Sequence, residues 1–133
     1  MKKFISGGSM DLGILLLRLA TGILLFTAHG LGKLLSFDKR FHTFSDPIGV
    51  GHEISFMLVL VAEIVCPVLI ILGLFTRFAA IPVIIMMAVA IFMVHFNGPW
   101  NKIELPLLFL IPAFVLLITG PGKYSFDYRL KNK

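Results

Sequence analysis

The chain alternates between long apolar runs and short polar breaks. Four runs stand out, at residues 12–35, 55–75, 78–96 and 103–119. Each has about 17 to 24 residues, the length that carries an α-helix across a hydrocarbon core of about 30 Å. Spanning strands would need about ten residues of alternating polarity, and no such alternation occurs. The pattern predicts an all-α protein, a four-transmembrane-helix bundle forming a single membrane domain over residues 1–133. The first run is expected to be a helix of the bundle rather than a cleaved signal peptide. It is long for a signal core, carries Arg18 and lacks a convincing small-x-small cleavage site.

The breaks differ in kind. Residues 36–54 form the longest, mixing Asp38, Lys39, Arg40 and Asp46 with Pro47, Gly49 and Gly51 as helix breakers. Thr76-Arg77 is a tight turn, and residues 97–102 form a short one in which Trp100 suits a membrane interface. Gly120-Pro121-Gly122 stops the last helix.

Composition sharpens this picture. Of 133 residues, 58% are hydrophobic and 14% charged, with a mean hydropathy of +0.97. A water-facing domain of this length could not hide so much apolar side chain. A soluble enzyme, a disordered tail and a disulfide-stapled secreted module are thereby excluded. The single cysteine, Cys66, excludes an internal disulfide or a CxxC pair.

The net charge of +5 would suggest nucleic acid in a soluble protein. Here the basic residues sit at the ends of apolar runs, where they anchor helices at headgroups. The expected partner is the lipid bilayer, with no nucleic acid. Four crossings put both termini and the Arg77 turn on one side. That side carries Lys2, Lys3, Arg77, Lys123, Arg129, Lys131 and Lys133, against Lys33, Lys39, Arg40 and Lys102 opposite. The positive-inside rule then places both termini in the cytoplasm, with the chain in the cell membrane as a multi-pass protein.

Charges inside the runs are the candidates for chemistry, because one at mid-bilayer costs about 2.5–3.5 kcal/mol. They are Arg18, His29, Glu63, His95 and Glu104, with Lys33 near an edge. Arg18, Gly22, His29 and Lys33 share one helix face, since eleven residues make about three turns. Glu63 needs a partner, for which Arg18 is the obvious counter-charge and His29 a competitor. Such a pair either fixes helix packing alone or also holds a ligand. His29 and His95 each lie seventeen residues after the start of their run, at similar depth, and Glu104 descends at the same level. Two imidazoles and a carboxylate can relay protons, hydrogen-bond a quinone carbonyl, or ligate a metal or haem; they can also simply bond backbone or headgroups. No HxxxH or ExxH spacing is present, so no metal is assigned. The expected catalytic set is His29, His95 and Glu104, with Arg18, Lys33 and Glu63 as buried, ligand-binding charges.

The residues also carry a family pattern. Leu16-Leu17-Arg18-Leu19-Ala20-Thr21-Gly22, then His29-Gly30 and Lys33-Leu34, resembles the first helix of the DoxX family. Glu63, Leu72-Gly73-Leu74-Phe75-Thr76-Arg77 and Ala79-Ala80 resemble its second helix and turn. Val94-His95, Glu104-Leu105 and Gly120-Pro121-Gly122-Lys123-Tyr124-Ser125-Phe126-Asp127 complete the order. The resemblance implies a small four-helix membrane protein whose polar interior holds Arg18, His29, Lys33, Glu63, His95 and Glu104. Some relatives are linked to thiosulfate:quinone oxidoreductase, to catechol and quinone stress responses, or to membrane complexes in oxidative and thiol stress.

The expected function is therefore a quinone-linked redox or stress-detoxification subunit, binding a quinone-like ligand in its interior. The cofactor is unidentified, a quinone being the candidate. Without flavin, haem or dithiol motifs, electrons must come from a redox partner protein or a bound cofactor, so it stays open whether the chain is itself an oxidoreductase. Two alternatives remain: a non-enzymatic scaffold or assembly subunit, and a small transporter or lipid-binding protein working as a homo-oligomer.

Overall fold

A computed structural model describes residues 7–94 and 97–131. Helix α1 runs over Gly7–Leu25, widens into a π-helical turn at Phe26–Gly30 and resumes as Leu31–Leu35. A short helix, α2, covers Phe37–Arg40. Helix α3 comprises His52–Leu60, a π-helical turn at Val61–Val65 and Cys66–Leu72. Helix α4 covers Thr76–Val89 with a π-helical turn at Ala90–Val94, α5 covers Trp100–Thr119 and α6 covers Phe126–Lys131. Four of these, α1, α3, α4 and α5, are long and apolar enough to cross a membrane, and no strand occurs among the described residues.

Lipid offers no hydrophobic drive between helices, so close approach and hydrogen bonds must hold the bundle. Small residues permit that approach. Ala79 and Ala113 are buried in the seam, packed with Leu25, Ile70, Val83, Met87 and Leu116, and Ala80 is buried as well. Larger apolar side chains such as Leu16, Leu24 and Ile118 face outward. Helices α4 and α5 pack together along their length, and α1 lies mainly against Cys66–Leu72 of α3.

The π-helical turn in α3 has a local cause. Pro67 has no N–H to give the Glu63 carbonyl, and the N–H of Cys66 bonds instead to the Val61 carbonyl, one residue further back. The freed Glu63 carbonyl faces Gly30 of α1. A Cβ at Gly30 would collide with that oxygen, so only glycine lets the two backbones meet there. In α1 the N–H of Leu31 likewise reaches back five residues, to the Phe26 carbonyl.

At the end of the bundle that holds residues 7–11 and 120–131, the α3–α4 turn is tied to the tail. Gly73 takes the left-handed conformation (φ 71°) and ends α3 at Leu72, three residues before the apolar run ends. The Asp127 carboxylate then accepts the N–H groups of Phe75 (2.8 Å) and Thr76 (3.1 Å), capping α4 from 51 residues away. In return the Asp127 N–H donates to the Gly73 carbonyl at 2.9 Å.

Arg18 sits inside this knot, 1% exposed. Its Nε donates to the Ile70 carbonyl (3.0 Å) and Nη2 to that of Ile71 (2.8 Å), at the negative end of the α3 dipole. Nη1 donates to the carbonyls of Pro121 (3.1 Å) and Tyr124 (2.8 Å). Four of its five N–H donors are thereby occupied by backbone. The expected Arg18–Glu63 pair does not form: a guanidinium one third of the way along α1 lies level with the end of α3, not its middle.

Candidate functional site

The opposite half of the bundle holds a half-open cavity of about 560 Å³. Its walls come from α1 (His29, Lys33), α3 (Leu58, Val59, Ala62, Glu63) and α4 (Pro82, Ile85, Met86, Val89), with Pro106 of α5 behind. Helix α3 is continuous but meets α4 over only part of its length, and the cavity lies where it does not. Its Cys66–Leu72 half packs on α4, whereas His52–Leu60 stands apart from it. The π-helical turn beside Pro67 separates the halves, and such turns recur at functional sites.

The walls are almost entirely apolar, with one polar corner. There Lys33 Nζ donates to both Glu63 oxygens, at 2.9 and 2.7 Å. The Lys33 side chain is 17% exposed and that of Glu63 5%, so the pair is shielded and close to neutral as a unit. Helical side chains lean toward their own N-terminus, which tips Lys33 back into the bundle to meet Glu63. His29 lies one turn before Lys33 on the same face. Its ring meets Phe109 edge-on, centroids 5.3 Å apart. Its Nε2 is buried without a hydrogen-bond partner among the described residues. A buried imidazole nitrogen left unpaired costs free energy that a ligand oxygen could recover.

The long break between α1 and α3 closes one side. Phe44, Ser45, Pro47 and Ile48 line the cavity, and Phe37, Phe41 and Phe44 each set their rings at a steep angle to the fully buried Phe56, centroids 5.2–6.4 Å away. Asp46 organises this segment: one carboxylate oxygen accepts the Ser55 hydroxyl (2.8 Å) and the Val50 N–H (2.9 Å), the other the Gly51 N–H (2.8 Å). Those donors, Ser55 foremost and then Gly51 and Val50, hold the Asp46 carboxyl below the usual aspartate range. With the folded-state value lowered, the contribution is complete above the unfolded pKa of about 4 and is lost as pH falls through the lower folded value. Exchange protection of the Val50 and Gly51 amides, corrected for intrinsic rate, should therefore be level from about pH 8 to pH 5 and drop below about pH 4. In Asp46→Asn it should be low throughout. Equal protection in both proteins would contradict this account of the segment.

The six sequence candidates divide accordingly. His29, Lys33 and Glu63 meet at the cavity. Arg18 lies at the far end, in the knot. Glu104, on the first turn and a half of α5, is exposed and does not line the cavity. Nine residues turn a helix by about 900°, so Glu104 points opposite the buried Ala113. His95 lies outside the described residues. The lining residues Phe44, Pro47, Ile48 and Ser55, with the methionines of α4, had no chemical signature. The regular spacing of Phe37, Phe41 and Phe44 was the available signal that the break folds inward. Among the described residues, no group of three or more His, Cys, Asp or Glu side chains gathers as a metal site.

Sequence relatives fit this architecture. The chain is 32% identical to an uncharacterized membrane protein of Mycobacterium tuberculosis, over 90% of this chain and 82% of that one. It is 30% identical to a Bacillus subtilis protein provisionally named oxidoreductase CatD, over 90% and 87%. An uncharacterized Haemophilus influenzae protein matches at 30% over 62% of this chain, which spans little more than half (57%) of that protein's length. No solved structure shows a significant match. Residues 13–96, from the second turn of α1 to just past the described part of α4, match the DoxX family. This membrane chain, with its polar corner between α1 and α3, belongs to the DoxX family.

Proposed function

We propose that the cavity binds an uncharged, lipophilic ring bearing a carbonyl or hydroxyl oxygen, of the quinone class, and that the chain serves as a membrane subunit in redox chemistry or detoxification. The observation that carries this reading is the unpartnered His29 Nε2 in an otherwise apolar cavity of about 560 Å³. That volume suits a substituted ring. The self-neutralised Lys33–Glu63 pair disfavours a charged ligand. The Bacillus relative's name points the same way.

In this reading His29 donates to, or accepts from, the ring oxygen according to its tautomer. Lys33 and Glu63 hold a proton near by, and the apolar walls exclude water. Electrons come from a partner protein or a bound cofactor, since these side chains carry none. The termini face the cytoplasm and the bilayer is the cell membrane, by the balance of Lys and Arg. Assembly with a redox partner, or with further copies of this chain, belongs to the same proposal.

The test is equilibrium binding of a short-chain benzoquinone to the detergent-purified protein. Saturable binding is expected, weakened about tenfold in His29→Ala, the equivalent of one hydrogen bond. No saturable binding, or equal affinity in His29→Ala, overturns the reading.

A further inference from the structure

A second groove lies at the other end of the bundle, beside the α3–α4 turn, with a volume of about 460 Å³. Its position relative to the membrane follows from the spans. Span α3 ends at Leu72, α4 begins at Thr76 and α5 ends at Thr119. The groove therefore opens at the boundary between hydrocarbon and headgroups.

Arg77, Lys123 and Lys131 line it, against Asp11 and Asp127. Both Asp127 oxygens are taken by the N–H groups of Phe75 and Thr76, and Asp11 Oδ1 accepts the Lys123 N–H at 3.2 Å. The acids thus serve the backbone. Among the described residues neither lysine ammonium meets a carboxylate within 4.0 Å.

Arg77 is held in place by the opposite end of α5. Its Nη2 donates to the Ile118 carbonyl (3.3 Å) and its guanidinium lies over Gly120. That leaves most of its donors for another acceptor. On the rim, Phe75 and Phe78 are 59% and 74% exposed. In a chain that crosses the membrane, those rings lie among acyl chains rather than in water.

We infer that this groove is a binding site for one anionic phospholipid, its phosphate held by Arg77, Lys123 and Lys131 and its acyl chains laid along Phe75 and Phe78. The charge balance selects an anion, and the apolar rim at hydrocarbon level selects a lipid over a free phosphate. The site is independent of the cavity at the other end of the bundle. Because the lipid bridges the α3–α4 turn and the tail, it fastens the knot around Arg18 from outside.

The experiment is native mass spectrometry of the full chain released from micelles doped with equal phosphatidylglycerol and phosphatidylcholine. One phosphatidylglycerol is expected to stay bound, about tenfold in preference to phosphatidylcholine, and millimolar inorganic phosphate should leave it in place. Each basic side chain near an anionic lipid contributes roughly fivefold, so Lys123→Gln/Lys131→Gln should lose at least about tenfold of that retention. Neither lysine side chain makes a hydrogen bond among the described residues, so the variant tests charge rather than folding. The same double change at Lys39 and Arg40, at the other end, should alter nothing. Equal retention of the two lipids, displacement by inorganic phosphate, or unchanged retention in the Lys123/Lys131 variant each overturns the inference.

Discussion

Arg18→Gln should destabilise the detergent-solubilised protein by about 4 kcal/mol or more, read from the shift in its unfolding transition. The guanidinium spans two carbonyls at the end of α3 and two in the tail. A hydrogen bond from a charged donor contributes about 1.5–3 kcal/mol. Glutamine can serve at most two acceptors, so buried carbonyls go without donors. Arg18→Lys keeps the charge but lacks the planar fork, and should fall between the two. Wild-type stability in Arg18→Gln would show that the knot is held by something else. Quinone binding at the remote cavity should be unchanged wherever the variant is folded.

Lys33→Met is the second large effect. It leaves the Glu63 carboxylate buried without its hydrogen-bonded counter-charge, a loss of about 3–5 kcal/mol. Glu63→Met should cost less, because Lys33 is near the end of its helix and can turn its ammonium outward. The double variant Lys33→Met/Glu63→Met should recover most of the single-variant loss, since an apolar pair of similar volume suits this wall. A double-mutant cycle in micelles measures the coupling. Strict additivity of the two single effects would mean that the pair contributes nothing to the fold.

The spanning helices were readable in the sequence because lipid imposes length and apolarity directly on the residues. Burial of Arg18 and Glu63 was readable for the same reason: neither tolerates acyl chains. Their partners were not. Arg18 is satisfied by main-chain carbonyls, which every residue possesses and no residue type announces. Lys33 was placed among the buried charges near one edge but was not matched to Glu63, a pairing that depends on Glu63 being within reach across Gly30. The cavity was hidden for a related reason. It lies beside a π-helical turn that precedes Pro67, whereas the sequence shows a proline only as a place where a helix bends. The break before α3 read as polar from its charges, while its phenylalanines carry the packing.

The wiring of Arg18 also sets an order of events during synthesis. Its acceptors at Pro121 and Tyr124 lie 103 and 106 residues downstream. When α1 leaves the ribosome and enters the bilayer, those groups have not yet been translated. The nascent first helix must wait with its cation solvated by headgroups, water or the insertion machinery until the tail emerges. Final locking therefore waits until residue 124 has emerged, and a chain cut before residue 121 would leave a membrane intermediate fit for quality-control proteolysis.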